Sequence, residues 1–141
     1  MTIPLFLAVS LAGGLGAVAR LIIDTAVTRW LGDRFPFGTV IINITGSFLL
    51  GVVVGIAGGA SAGLGLMTQP FFDAHVNPSD FRLVFGTGLL GGYTTFSTAS
   101  FDTVRLLRAR RFIAAAFHGF GMLLVSVIAA ALGLFLASTF A

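Results

Sequence analysis

The sequence lacks several residue types on which common protein functions depend. It contains no cysteine, which excludes disulfides and thiol chemistry. It has neither glutamate nor lysine, and only 9% of its 141 residues are charged. The two histidines, His75 and His118, stand alone, so no metal-ligand cluster is visible. No pair of nucleophile and base can be named either, and we therefore do not expect an enzyme.

Long uncharged runs are abundant instead. Hydrophobic residues make up 57% of the chain, and the mean hydropathy is +1.05. Because a spanning helix needs about 20 mostly apolar residues, the runs predict an all-α membrane protein with four spans, at about 3–23, 38–57, 81–104 and 112–137. Residues 1–141 then form one transmembrane domain in the lipid bilayer. We expect the first span to be retained, since no basic segment precedes it, and the connection 58–80 to lie along the membrane interface.

The arginines are distributed unevenly between the predicted loops. One arginine, Arg82, marks one side of the membrane, and six flank the first and third loops: Arg29, Arg34, Arg105, Arg108, Arg110 and Arg111. The positive-inside rule places those six in the cytoplasm and both termini outside it. The high isoelectric point therefore reflects arginines that lie beside the spans and not a basic binding surface, so we expect no nucleic-acid partner.

Residues 86–100 place glycines and hydroxyl side chains where a span should be apolar. Backbone groups freed at membrane depth are tolerated only when they are buried in protein or line a polar path. We therefore predict that the third helix is broken around 91–95 and that the break is a functional site. Released carbonyls suit a hard cation, whereas hydroxyls and the ring edge of Phe96 suit an anion. Alternatively, the hydroxyls bond back to their own helix; they belong to Thr94, Thr95, Ser97, Thr98 and Ser100.

Other polar residues within or beside the spans each allow two interpretations. Asn43 is either a hydrogen-bond link between helices or part of a pore lining. Arg20 either extends to the interface or holds an anion vestibule and pins the broken helix through its carbonyls. We expect His118 at the membrane interface, and Asp102 paired with Arg105 three residues later. The glycine clusters at 13–16 and at 51 and 55 are typical of close helix packing.

Three strings resemble the bacterial fluoride-channel family called Fluc: GGLGAVAR at 13–20, PFGTVIINITGSF at 36–48 and GGYTTFST at 91–98. The resemblance implies a dimer of two antiparallel four-helix subunits in the cell inner membrane that exports fluoride passively from the cytoplasm. It also implies a central sodium ion that is structural and not transported, bound by main-chain oxygens of Gly91 and Thr94. Asn43 and Phe96 would then line the fluoride pathway. Thr95, Ser97 and Thr98 would line or support it.

The chain departs from the family pattern in its aromatic residues and in its loop charge. Ala99 stands where a second phenylalanine is usual, and Phe101, two positions later, faces elsewhere on a helix. Asp102 replaces the usual glutamate, and Leu21 replaces a common tyrosine. Homodimeric members have balanced loop charge, so the arginine bias favours one half of a heterodimer with an oppositely inserted homologue. A homodimer is the alternative.

Two other classes of function compete with this interpretation. A small four-helix cation or multidrug exporter needs a carboxylate within the membrane, but the chain has no glutamate and its aspartates fall at span ends or loops. A non-transporting membrane assembly factor leaves Asn43 and the hydroxyl cluster unexplained.

Overall fold

A computed structural model describes residues 1–58 and 77–140, and this part of the chain is helical without strands. The α-helices are α1 (Ile3–Leu31), α2 (Phe37–Gly58), α3 (Pro78–Phe81), α4 (Gly91–Tyr93), α5 (Phe96–Arg108), α6 (Phe112–Ala116) and α7 (Met122–Phe140). Two π-helical segments, Arg82–Leu90 and Phe117–Gly121, continue α3 into α4 and α6 into α7. The all-α prediction is confirmed. Most of the connection predicted to lie along the interface, and His75, fall outside the described residues.

Three helical stretches are long and apolar enough to cross a membrane: Ile3–Leu31, Phe37–Ala57 and Phe112–Thr139. The third predicted span is not one such helix, because it consists of residues 78–93, an extended break, and α5 with 13 residues. Neither π-helical segment was predicted. Both contain glycines, Gly86 and Gly88 in the first and Gly119 and Gly121 in the second. Glycines in a span also occur where helices pack closely, so they do not by themselves predict a π-helical segment.

The first helix is longer than the predicted first span. Helix α1 continues to Leu31, beyond the expected end near residue 23. The uncharged run ends at Arg20, but Arg20, Asp24 and Arg29 are compatible with a helix. The helix itself ends at Gly32, where φ is +79°. Helix α2 begins at Phe37, directly after Pro36, as expected.

Glycines let the helices approach closely. A Cβ atom added at Gly51 would lie 2.1 Å from the Ala130 carbonyl oxygen of α7, and one at Gly16 would lie 2.0 Å from the Leu89 oxygen. The packing role predicted for Gly51, Gly55 and Gly16 is confirmed, since each leaves no room for a side chain. A Cβ atom added at Gly14 would meet nothing within 4 Å in the described part of the chain, so no close packing is seen at that position.

The outer surface of the chain is strongly apolar, whereas its buried core is small. The buried cluster consists of Ile42, Leu90 and Tyr93. By contrast, Trp30 is 91% exposed, Phe96 87% and Phe120 79%. Soluble monomers do not expose apolar patches on this scale, so this surface faces lipid or another protein chain.

Candidate functional site

The helical path breaks at Thr94 and Thr95, as the sequence predicted. Thr94 has φ −78° and ψ 161°, and Thr95 has φ −150° and ψ 124°, which are extended conformations. The backbone N–H of Thr94 still donates to Leu90 O at 2.9 Å, and its hydroxyl donates to the same oxygen at 2.9 Å. Thr95 caps α5, because its Oγ1 accepts from the backbone N–H of Thr98 at 3.2 Å. The break therefore joins two well-formed helix ends.

Asn43 on α2 satisfies both main-chain groups of Thr95. Its Oδ1 accepts from the Thr95 N–H at 2.9 Å, and its Nδ2 donates to the Thr95 carbonyl at 3.1 Å. Nδ2 also donates to Thr39 O at 3.0 Å, one turn earlier on α2. A buried backbone group without a partner costs about 1–3 kcal/mol. Asn43 therefore stabilises the extended backbone by replacing the partners that a continuous helix would supply.

Arg20 extends from α1 toward the same break. Its Nη1 lies 3.5 Å from Thr94 O, at the upper limit for a hydrogen bond, and the residue is half-buried. Of the two interpretations of Arg20, the contact favours the one in which it pins a carbonyl of the broken helix.

The hydroxyl cluster has partners within the chain. Thr95 Oγ1 donates to Thr98 Oγ1 at 3.0 Å and lies 3.3 Å from Ser97 Oγ. Ser100 donates to Phe96 O at 2.9 Å. The alternative that hydroxyls bond back to their own helix therefore holds for Ser100 and Thr94, whereas Thr95 connects the break to the first turn of α5.

Two clefts meet at Thr95. The larger has a volume of about 550 Å³ and is lined mainly by α2, α5 and α7, with polar residues Asn43, Ser47, Thr94, Thr95, Ser100, Thr103 and Ser126. The smaller, of about 310 Å³, is lined by Arg20, Asp24, Thr39, Thr98 and again Thr95. Ser97 lines neither of these two clefts. Asn43 and Thr95 therefore share the larger cleft, while Thr98 and Arg20 share the smaller one.

The aromatic residues near the break lie at the surface of the chain. Phe96 contributes to the lining of the larger cleft but is 87% exposed. Ala99 also lines that cleft and is buried. Phe101 is 68% exposed and does not contribute to the lining, which confirms that it faces elsewhere.

Sequence reasoning missed Ser126 as a candidate site residue. Its hydroxyl is buried, faces the larger cleft and has no hydrogen-bond partner within the described part of the chain. A buried hydroxyl without a partner is costly, so it is a candidate to bind something that enters the cleft. The available signal was that Ser126 is the only hydroxyl residue in the predicted span 112–137.

A second polar network lies beyond the cleft. Asp102 forms the predicted ion pair with Arg105 at 3.7 Å, and it also accepts a hydrogen bond from Thr39 Oγ1 at 2.8 Å, which was not predicted. His118, which was expected at the membrane interface, is fully buried within the chain. Its Nδ1 lies 3.0 Å from Thr103 Oγ1 on α5, whereas its Nε2 is buried without a hydrogen-bond partner in the described part of the chain.

Comparisons with known proteins identify relatives of this chain. Residues 7–134 match the family described as CrcB-like protein, camphor resistance (CrcB). The chain is 46% identical over 136 residues to "Fluoride-specific ion channel FluC 1" of Leifsonia xyli subsp. xyli, covering 96% of this chain and 88% of that protein. It is 35% identical to "Fluoride-specific ion channel FluC 2" of Mycobacterium bovis, covering 97% and 94% respectively. Such relatives and the three apolar helices make the chain a membrane protein.

Proposed function

This chain belongs to the CrcB-like protein family, and we propose that it is a subunit of a passive fluoride channel that lowers cytoplasmic fluoride. The observation that carries the proposal is the extended backbone at Thr95, held by Asn43 at the wall of a polar cleft between apolar helices. Such a break in a membrane protein is expected where it lines a polar path. The chain is a channel subunit and not an enzyme.

The larger cleft has the chemistry that a dehydrated anion needs. Fluoride loses its hydration shell only if protein donors replace it, and the cleft offers an amide and several hydroxyls without any arginine in its lining. Weak donors in series let an ion both enter and leave, as conduction requires. Ser126 is a well-placed donor, because its buried hydroxyl has no internal partner within the described residues. Arg20 in the smaller cleft would attract the anion toward the break as part of a vestibule.

The complete channel would contain a second four-helix subunit inserted in the opposite direction. Residues 78–93 and α5 together would form the third of four spans, interrupted within the membrane. Phe96 is 87% exposed on the single chain although it belongs to the cleft lining. A second subunit packed on this face would cover Phe96 and close the pathway around it. The two copies of the break would then meet at a twofold axis.

A structural sodium ion would fit at that axis, bound by main-chain oxygens of Gly91 and Thr94 from each subunit. Gly91 is exposed, and among the described residues the nearest atom that an added Cβ would meet is Gly86 O at 3.8 Å. Its neighbour Gly92 faces inward, where a Cβ atom would lie 2.1 Å from Gly13 O. Arg20 occupies one side of the Thr94 oxygen at 3.5 Å, and a carbonyl oxygen has a second lone pair for a cation.

The partner would be an oppositely oriented homologue. Six arginines mark one side and only Arg82 the other, so the chain favours a single orientation in the inner membrane, with both termini outside the cytoplasm. Ala99 lacks the second pore aromatic, which such a partner would supply. A homodimer is the alternative.

Reconstitution tests the proposed channel directly. Liposomes loaded with equal fluoride and chloride would contain this chain alone, an oppositely charged homologue alone, or both, and selective electrodes would record efflux of each ion. We expect fluoride efflux far above chloride efflux when both chains are present. Comparable chloride efflux, or no fluoride efflux in any of the three preparations, would refute the channel. Normal fluoride efflux from a stable homodimer of this chain would refute only the heterodimer.

A further inference from the structure

The turn between α5 and α6 has an arginine at a position that ordinarily takes glycine. The backbone N–H of Arg111 donates to Leu106 O at 3.0 Å, and that of Arg110 donates to Leu107 O at 2.9 Å. These two bonds form a Schellman motif, whose penultimate residue adopts the left-handed conformation. Arg110 accordingly has φ +56°, and it is the only residue other than glycine with positive φ among those described. Glycine or asparagine would fit the backbone there with less strain.

A second contact joins this turn to the loop between α1 and α2. The Arg111 guanidinium donates to the carbonyl oxygen of Arg34. The contact gathers exposed cations at one end of the helices, and we call this set the basic face: Arg29, Arg34, Arg105, Arg108, Arg110 and Arg111. Of the described carboxylates near it, Asp33 is exposed, and Asp102 is buried and paired with Arg105. The basic face therefore carries a clear excess of positive charge.

An open cleft of about 510 Å³ lies at the centre of this turn. It is lined by Arg110, Arg111, Phe112, Ile113 and Ala114. Phe112 is 63% exposed and Ile113 75%, directly after the two arginines. The cleft thus presents two guanidinium groups beside two exposed apolar side chains. That combination matches a ligand with an anionic head and a hydrocarbon tail.

We propose that this cleft binds the headgroup of an anionic phospholipid, with Arg110 and Arg111 contacting the phosphate and Phe112 and Ile113 contacting the acyl chains. Guanidinium groups bind phosphate oxygens through paired hydrogen bonds. Arg111 keeps N–H groups for this purpose, because the guanidinium has five and the Arg34 carbonyl is bonded to Nη1. A free phosphate would not account for the exposed apolar pair. The strained Arg110 is explained if its charge at this position is what the site requires.

The decisive variant is Arg110→Asn, because asparagine tolerates the left-handed conformation but has no charge. The full chain in neutral detergent is titrated with phosphatidylglycerol or phosphatidylcholine, and bound lipid is counted by native mass spectrometry. We expect the unmodified protein to prefer phosphatidylglycerol. An arginine near an anionic headgroup adds favourable electrostatic free energy to lipid binding, so Arg110→Asn should weaken phosphatidylglycerol binding about fivefold. The unfolding temperature of the lipid-free variant should be equal or higher, since backbone strain is relieved.

Two controls keep the test specific. Arg82→Gln removes an exposed arginine from the opposite side of the membrane in the predicted topology, and it should leave phosphatidylglycerol binding unchanged. Arg110→Gly, which the turn itself favours, should reproduce the loss of binding. Equal binding of the two lipids, an equal loss in Arg82→Gln, or full competition by soluble glycerol phosphate would each overturn the proposal. None of these results depends on fluoride transport, so the lipid site and the channel fail or stand separately.

Discussion

Replacing Asn43 with aspartate changes both the support of the break and the charge of the larger cleft. Aspartate retains an acceptor for the Thr95 N–H but loses the two donations from Nδ2, to Thr95 O at 3.1 Å and to Thr39 O at 3.0 Å. A carboxylate oxygen would then face two carbonyl oxygens. Losing a hydrogen bond costs about 1 kcal/mol, and a buried group left without a partner costs about 1–3 kcal/mol. We expect Asn43→Asp to lose about 2–4 kcal/mol of stability.

The new charge adds a separate effect on the ion. Two unit charges 4 Å apart repel by about 1 kcal/mol in water and by about 4 kcal/mol at the effective dielectric of a protein surface. Because each 1.36 kcal/mol on a barrier changes a rate tenfold, fluoride efflux should fall between about fivefold and about a thousandfold. The cleft that Asn43 lines is open enough for water, at about 550 Å³, so the lower part of this range is expected while the cleft keeps this width. If a second subunit narrows the cleft, the expected fall in fluoride efflux is larger.

The neutral variant Asn43→Ala separates the two effects. It removes both hydrogen bonds to Thr95 and should be destabilised by a similar amount, but it places no charge in the cleft. The assay is fluoride-electrode efflux from liposomes, normalised to folded protein, with thermal unfolding measured in parallel. We expect efflux per folded channel to be much lower in Asn43→Asp than in Asn43→Ala. Equal efflux in the two variants would refute the placement of Asn43 beside the anion path.

Three further predictions follow from the same geometry. Ala99→Phe should raise fluoride efflux severalfold in liposomes, because it adds an aromatic ring to the cleft lining; unchanged efflux would show that the missing ring is not limiting. Gly91→Val should leave the chain folded but prevent dimer formation, as measured by size exclusion. Gly92→Val should instead unfold the chain, because its side chain would clash with the backbone of Gly13. Thr94→Ala should assemble normally, since main-chain oxygen is the proposed ligand, and equal tolerance of Gly91→Val and Thr94→Ala would remove the sodium argument. Ser126→Ala should slow efflux severalfold without lowering the unfolding temperature, because the Ser126 hydroxyl has no partner within the described residues; a lower unfolding temperature with normal efflux would contradict its proposed role.

The sequence predicted the break because its signal is local. Glycines and hydroxyls between 86 and 100 conflict with an uninterrupted apolar span, and the structure breaks at Thr94 and Thr95 within the predicted range. The partner of the break was less accessible, since Asn43 lies 52 residues away in sequence. A single amide in a span indicates an inward-facing side chain, but only the fold decides which backbone it meets.

Two features that the sequence did not predict, the length of α1 and the burial of His118, share a physical cause. The end of α1 was set from charge, but arginine and aspartate are compatible with a helix, and the helix ends at Gly32. His118 was expected at the membrane interface, and its complete burial within the chain was not predicted. The Thr103 hydroxyl of a neighbouring helix, at 3.0 Å, is the partner of one of its two ring nitrogens. In both cases the outcome depends on backbone geometry or tertiary contacts that hydropathy does not encode.

The hydrogen bonds of the cleft separate the residues that hold the break from those available to an ion. Each hydroxyl has one hydrogen to donate, and those of Thr94, Thr95 and Ser100 are donated within the chain. Asn43 directs both amide hydrogens at carbonyl oxygens. An anion at this wall must therefore share donors that already have partners, which keeps its binding weak. Ser126 faces the same cleft from α7, and its buried hydroxyl has no partner within the described residues, so the proposed pathway combines an uncommitted donor with donors that already have partners.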